Sequence, residues 1–296
     1  MDLAYLRAHP EHLPAYLTHQ RIRETPVSGG SICVAQRLTL EDGASVFAKS
    51  LPDADRENLP GFFAAEAAGL RWLRSAGAVP VPEVLVELPS LLALEWIEPG
   101  PPSAAAAERF GRELARLHRA GTDGFGAPWD GYIGRLPLSN SPFSGSWAEW
   151  FESLRLAPFL KLSVDGGALS TVDAAAVERV AGWVTDGRLG GDEPPARIHG
   201  DLWPGNLVWA RDRAWLVDPA AHGGHRETDL AVLALFGGAP FLDRIVAAYD
   251  EEWPLAAGWR ARVPVHQLHL MLVHTALFGA AYRSSVLDLT AAILEI

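Results

Sequence analysis

Three residues in the second half of the chain combine type and spacing in a way that implies chemistry. In the run Arg197-Ile198-His199-Gly200-Asp201-Leu202-Trp203-Pro204-Gly205-Asn206 an aspartate precedes an asparagine by five positions, and a second aspartate, Asp218, closes the apolar segment Trp215-Leu216-Val217. Moving a phosphoryl group onto a hydroxyl needs one carboxylate to orient the nucleophile and take its proton. It also needs hard oxygen ligands that hold Mg²⁺ on the nucleotide phosphates. Asp201 suits the first task, and Asn206 and Asp218 suit the second. Singly, Asp and Asn are also ordinary turn and cap residues. Their joint spacing favours the chemical reading, with short strands expected over 207–209 and 215–217 around the charged turn Arg211-Asp212-Arg213.

Such a centre requires a nucleotide site upstream. Ser28-Gly29-Gly30-Ser31 lies between strand-like segments, where Gly29, Gly30 and Ser31 would let backbone N–H groups approach phosphates. Lys49 ends a β-rich stretch and would neutralise the α- and β-phosphates, with Glu66 on the following helix fixing it by ion pairing. Only Lys49 and Lys161 are lysines, while arginine supplies every other cation among the 25. A site that needs a compact ammonium rather than a planar fork would keep a lysine against that bias. Glu95, Trp96 and Ile97 precede a Pro/Gly break and would offer backbone donors and acceptors to adenine, or form an ordinary buried strand.

The elements that must position these groups follow from pattern. Residues 31–40 and 45–49 read as strands joined by a turn at Asp42-Gly43. The segment 61–75 places Phe62, Phe63, Leu70 and Leu73 at helical spacing, with Gly77 and Pro80 as stop signals. A nearly continuous apolar strand covers 91–97, and Glu98-Pro99-Gly100-Pro101-Pro102 then breaks regular structure. Beyond it Ser103 caps a helix to about Arg119, residues 122–142 read as a long ordered loop, helices cover 147–160 and 173–184, and the chain from Thr228 onward is mostly helical. The fold class expected is α+β and two-lobed. Residues 1–98 form a nucleotide lobe with a helical lead-in, and residues 99–296 a mainly helical catalytic and acceptor lobe.

Composition narrows the partners. A formal charge of −11 and no long Lys/Arg run argue against nucleic acid. Hydrophobic runs are interrupted by Pro, Gly, Arg and His, so no membrane span is expected. Cys33 is the single cysteine, which precludes an internal disulfide, and the amino terminus has no secretory apolar core; a cytoplasmic setting is the default expectation. There is no GxxxxGK[ST], GxSxG or HExxH motif. The pair His222/His225 and the trio His266, His269 and His274 show no defined metal spacing, so zinc is not assigned. Asp218 runs within about ten residues into His225-Arg226-Glu227-Thr228-Asp229, without the long activation segment of a regulated protein kinase, which favours a small-molecule acceptor.

With these residues in view, HGDLWPGN, VDPAAHGGHRETDLAVLALFGG and the early SGGSI…FAKS resemble the fructosamine kinase (ketosamine 3-kinase) family. The resemblance continues through LALEWIEPG, GRELARLH, the DGFG and YIG elements and HTALFGAAYRSS, nearly the whole chain. It implies the protein-kinase-like fold and ATP- and Mg²⁺-dependent phosphorylation of the 3-hydroxyl of ketosamines, either free or on glycated lysine side chains, as a deglycation repair step. Aminoglycoside or choline kinases share the shorter HGDxxxxN pattern, and they, or nucleotide binding without turnover, are the alternatives. By motif matching Asp201 is the base, Asn206 and Asp218 are metal ligands, Lys49 pairs with Glu66, and Glu95 to Ile97 form the adenine hinge. Trp203 is the candidate sugar platform, or else core. His225 and Glu227 line the ketosamine pocket or brace the loop, and His274 carries the same two readings. Asp229 is expected to support the loop or a helix start. Several relatives carry a cysteine directly after the glycines, where this chain has Ser31, with Cys33 two positions later.

Overall fold

Two short helices, α1 (Leu3–Ala8) and α2 (Leu13–Thr18), lead into strands β1 (Arg23–Pro26), β2 (Val34–Thr39) and β3 (Ser45–Ser50) of the computed structural model. It describes residues 1–19, 22–27, 32–189 and 192–296, so Gly29, Gly30 and Ser31 lie outside the described residues. The turn between β2 and β3 is built at Asp42-Gly43, where Gly43 takes φ +81° and its N–H donates to Leu40 at 3.0 Å. After the one-turn α3 (Asp53–Arg56), helix α4 (Phe62–Ser75) crosses and β4 (Val84–Leu88) and β5 (Leu91–Glu95) return. The five strands make one antiparallel sheet in the order β1-β2-β3-β5-β4.

Strand alternation divides β3 between two jobs. Val46 and Ala48 enter a core with Leu6, Leu13, Leu38 and Val86, which α1 and α2 help to close. Phe47 and Lys49 therefore point to the opposite face, toward α4. That helix buries Phe63, Ala67, Leu70 and Leu73, the narrow stripe that a 3.6-residue period predicts. The strand expected over 91–97 ends at Glu95, leaving Trp96 and Ile97 outside regular structure.

Helix α5 (Ala104–Arg119) follows the Pro/Gly linker, with Ser103 Oγ accepting from Ala106 N at 3.2 Å as its cap. The stretch expected to be a plain loop, 122–142, contains a small ribbon, β6 (Gly131–Ile133) against β7 (Leu136–Leu138). Helices α6 (Trp147–Phe151) and α7 (Ala157–Asp165) are joined by a π-turn at Glu152–Leu156, and α8 (Thr171–Thr185) follows with a Ser170/Asp173 capping box. Two short ribbons frame the centre: β9 (Leu207–Ala210) with β10 (Arg213–Leu216), and β8 (Ala196–Ile198) with β11 (His222–Gly224). Helix α9 (Arg226–Val232) begins two residues before the expected Thr228, because His225 caps it. Helices α10 (Leu242–Glu252), α11 (Trp259–Phe278) and α12 (Arg283–Leu294) complete the chain.

The core does not respect the division between lobes. One cluster joins Leu92 and Leu94 of β5 and Leu70 of α4 to Phe110 and Leu114 of α5 and to Leu207 and Leu216 of the central ribbon. A second holds α6–α8, α11 and α12 together through Trp150, Phe159, Val177, Leu272 and Val286. The stretch Trp259–Leu294 is long and apolar enough to cross a bilayer by length and composition. It is interrupted at Gly279 (φ 74°, ψ −156°), and α12 packs back on α11.

Candidate active site

The loop that carries Asp201 is shaped by a buried carboxylate. Asp229, near the start of α9, accepts the backbone N–H of His199 at 2.7 Å and of Gly200 at 3.0 Å. Gly200 takes φ +81°, and a Cβ there would lie 2.3 Å from the Ala220 carbonyl, so only glycine fits. His118, at the end of α5, bridges Tyr249 (Nδ1, 2.8 Å) and Asp229 (Nε2, 3.1 Å). A carboxylate only accepts, so Nε2 carries a hydrogen and donates it to Asp229. Asp229 is fully buried; burial pushes its carboxyl up, but His118 and the loop amide outweigh this and hold it below the usual range.

His199 couples the two halves of the centre. Its Nε2 donates to the Val217 carbonyl at 2.9 Å, and its Nδ1 accepts from Asp201 N at 3.3 Å. Burial lowers its pKa, which keeps the ring neutral and in this tautomer. Asn206 Nδ2 donates to Asp201 O at 2.7 Å and lies 3.2 Å from Asp201 Oδ2 and 3.4 Å from Asp218 O. Asp218 sits in the left-handed region at φ 54°, a conformation Asp tolerates better than most side chains. From the sheet side, Lys49 Nζ reaches Glu66 Oε1 at 2.6 Å and pairs with Asp218 Oδ1. Helix α4 can come this close because Gly69 faces Ala221; a Cβ there would lie 3.2 Å from the alanine's.

These groups line a cleft of about 520 Å³ between the lobes, walled also by Phe47, Trp129, Tyr132 and Asn140. Asp201 has its pKa raised to about 8, by burial first and then by the neighbouring Asp218 charge, against the lowering bond from Asn206. Burial also raises Glu66, with Lys49 opposing. Lys49 stays charged, since Asp218 and Glu66 outweigh the burial that opposes its ammonium. The Asp218 carboxylate and the Asn206 amide are hard oxygen donors, and the Asp218 side chain is still 48 % exposed along the cleft lining. That donor set fits Mg²⁺.

Trp203 lines the cleft with its indole folded over Gly205, where a Cβ would fall 2.1 Å from the ring. It is 37 % exposed, unlike a core tryptophan. His225 and Glu227 are buried outside the cleft lining. His225 Nδ1 accepts from Glu227 N at 3.1 Å, and Glu227 receives Arg262 of α11 through both carboxylate oxygens, at 2.6 and 2.8 Å. His225, Glu227 and His266 hold ligand atoms within 4.8 Å of one another, but the Arg262 fork occupies both Glu227 oxygens. His274 lies on α11 beside Phe236, with ring centroids 5.3 Å apart. Glu95, Trp96 and Ile97 are also outside the cleft lining; Trp96 bonds Glu98 and lies under Arg37. Just beyond them, Gly100 N donates to Trp209 O at 2.7 Å, stitching the linker to the second lobe.

Several residues here have no chemical role legible from the sequence. His118 and Tyr249 work through Asp229. Asn140 is held in the cleft wall by Arg155, whose Nη2 lies 2.5 Å from Asn140 Oδ1. Arg155 is buried without a carboxylate partner among the described residues, and burial lowers its pKa to about 9. Only the placement of Arg155 on the π-turn and of Asn140 after β7 makes this pair visible.

Comparison with known proteins agrees with this geometry. The chain is 34% identical over 268 residues to a probable ketoamine kinase of Enterococcus faecium, covering 88% of this chain and 91% of the relative. It is 32% identical over 274 residues to the chloroplastic protein-ribulosamine 3-kinase of Arabidopsis thaliana, covering 89% and 80%. A crystal structure of a candidate fructosamine-3-kinase from Thermobifida fusca superposes with a TM-score of 0.86 at 50% identity, over 93% of each chain. An ADP-bound aminoglycoside phosphotransferase shares the fold at TM-score 0.61 and 14% identity, over 95% of this chain and 96% of that one. The profile of the family described as fructosamine kinase matches residues 9–296, and the chain belongs to that family.

Proposed function

We propose that this kinase transfers the γ-phosphoryl group of ATP to the 3-hydroxyl of a ketosamine, a free fructosamine, ribulosamine or erythrulosamine or the same adduct on a lysine side chain, with Mg²⁺ as cofactor. The observation that carries the reading is the convergence of Lys49, Glu66, Asp201, Asn206 and Asp218 on one cleft that Trp203 also lines. Residues 1–98 serve as the nucleotide lobe and 99–296 as the catalytic and acceptor lobe. Gly29, Gly30 and Ser31 approach the phosphates, and the backbone of Glu95, Trp96 and Ile97 contacts adenine.

Within that frame Asp201, in its ionised form, orients the attacking hydroxyl and accepts its proton. Asn206 orients Asp201 and, with Asp218, would hold Mg²⁺, which neutralises phosphate charge when bound. Lys49 steadies the phosphates and is itself fixed by Glu66. Trp203 offers a ring face to the C–H face of the sugar. His225 and Glu227 contribute by anchoring α9, and through it Asp229, to α11. Phosphorylation at the 3-position primes the adduct for release of its amine, a deglycation repair in the ATP-supplied cytoplasm.

Purified protein with Mg-ATP and fructosyl-, ribulosyl- and erythrulosyl-lysine, alongside choline and kanamycin, tests this by ADP release and mass detection of phosphorylated acceptor. A ketosamine 3-phosphate is the expected product. Turnover of choline or kanamycin without any ketosamine would overturn the acceptor assignment.

A further inference from the structure

Aromatic side chains continue from Trp203 beyond the residues that line the cleft. Phe236 meets the Trp203 indole edge-to-face, 5.8 Å between centroids at 87°. Beyond it stand His274, 5.3 Å from Phe236, and then Phe278 and Tyr282, 5.6 and 4.8 Å from His274. Phe236 and Phe278 are each 51 % exposed, too open for core packing. Phe236 is moreover held at φ 53°, ψ 39°, a left-handed conformation that is an outlier for a bulky aromatic. A ring displayed to solvent from a strained backbone position, touching the side chain beside the catalytic aspartate, is an arrangement that packing alone does not explain.

His274 adds polarity of one sign. Its Nδ1 lies 2.7 Å from the Leu270 carbonyl, which has no proton to give, so Nδ1 carries the hydrogen and Nε2 keeps a lone pair. Burial lowers the ring's pKa, so it stays neutral near pH 7. Arg283, the nearest cation in sequence, is held by Asp173 in a two-point ion pair at 2.7 and 2.8 Å. The surface thus offers ring faces and a lone pair, a combination that attracts a cation.

We propose that Trp203, Phe236, His274, Phe278 and Tyr282 form a subsite for the protonated secondary amine of the acceptor and the hydrocarbon next to it. The inference rests on the ketosamine reading above and deepens it. A ketosamine differs from a plain ketose by an ammonium on the carbon adjoining the sugar carbonyl. A sugar seated on Trp203 extends that ammonium toward Phe236 and His274. Cation–ring attraction then selects amine adducts over neutral glycosides of the same shape.

The test compares 1-deoxy-1-hexylamino-fructose with 1-O-hexyl-fructose, its neutral counterpart of equal length, as acceptors for wild type, Phe236→Leu and Phe236→Tyr. The expected preference in kcat/KM is about 5- to 30-fold for the amine, carried by KM. It should collapse toward parity in Phe236→Leu and return in Phe236→Tyr, with all three proteins melting alike. Parity in the wild type, or a preference unchanged in Phe236→Leu, would overturn the subsite. A calorimetric titration with dibutylammonium against dibutyl ether needs no turnover. Selective ammonium binding that Phe236→Leu loses, in a protein that phosphorylates no ketosamine, would sink the functional reading and keep the subsite. Ketosamine turnover with equal binding of both probes would do the reverse.

Discussion

Asp229 accepts the backbone N–H of Gly200 at 3.0 Å, one residue before the proposed base and from a helix that contributes no residue to the cleft lining. The amide of His199 and the ring of His118 share the same carboxylate. An Asp229→Asn substitution replaces one accepting oxygen with an N–H₂ that faces donors. The expected result is a fall in kcat of about 10²-fold from misplacement of Asp201, with a smaller change in the KM for ATP. Steady-state kinetics beside a melting curve separate misplacement from unfolding.

Removing the base itself has a different signature. Asp201→Ala should lower phosphorylation by about 10²–10⁴-fold while ATP binding persists, because Lys49, Asn206 and Asp218 remain. Product formation by mass spectrometry, paired with nucleotide titration, reports both. Unchanged turnover would remove Asp201 from its assigned role.

Lys49 is buried, and its Nζ lies 2.6 Å from Glu66 Oε1. Lys49→Met leaves the Glu66 carboxylate buried and uncompensated, a loss of about 3–5 kcal/mol for a broken buried pair. The double variant Lys49→Met/Glu66→Gln should recover part of that stability and none of the activity. Denaturant unfolding of the four proteins in the cycle checks the coupling.

The Glu227–Arg262 pair predicts an acid limit on stability. Burial would push the Glu227 carboxyl up, but bonds from Arg262 and then His266 hold it at about 2. A folded pKa depressed from about 4.3 means stability present above that value and lost as pH falls toward 2, amounting to roughly 3 kcal/mol. Wild type should exceed Glu227→Gln in melting temperature at pH 6, with the gap closing below pH 4. A gap constant from pH 6 to pH 2.5 would contradict the assignment.

Gly200→Ala places a methyl 2.3 Å from the Ala220 carbonyl at a backbone φ of +81°. The loop must shift, and both stability, by about 1–3 kcal/mol, and activity should fall together. A crystal structure of the variant with an unmoved 199–202 loop would refute the steric account.

Much of this organisation is written in local pattern. Ser103 marks the start of α5 because its hydroxyl caps the helix, and Asp42-Gly43 marks a turn because glycine takes the positive φ. Asp201, Asn206 and Asp218 are detectable because the loop that unites them is short and nearly contiguous. The β6–β7 ribbon escaped because Gly131, Gly134 and Pro137 give it the composition of a loop, while its pairing depends on the surrounding cleft wall. Helix α9 starts two residues before the pattern signals it, because its cap is a histidine, a residue with no strong capping preference. His118, Tyr249, Asn140 and Arg155 act only through tertiary neighbours, and no spacing in the chain connects His118 to Asp229.

The hydrophobic cluster that joins β5 and α4 to α5 and the central ribbon also governs motion. Swinging the sheet away from the helices would pull Leu92, Leu94 and Leu114 apart and wet them, at roughly 25 cal/mol for each Å² of apolar surface exposed. Wide clamshell opening is therefore costly. The same continuity ties the melting of the sheet to that of the helices, so the two halves should come apart as a single calorimetric event.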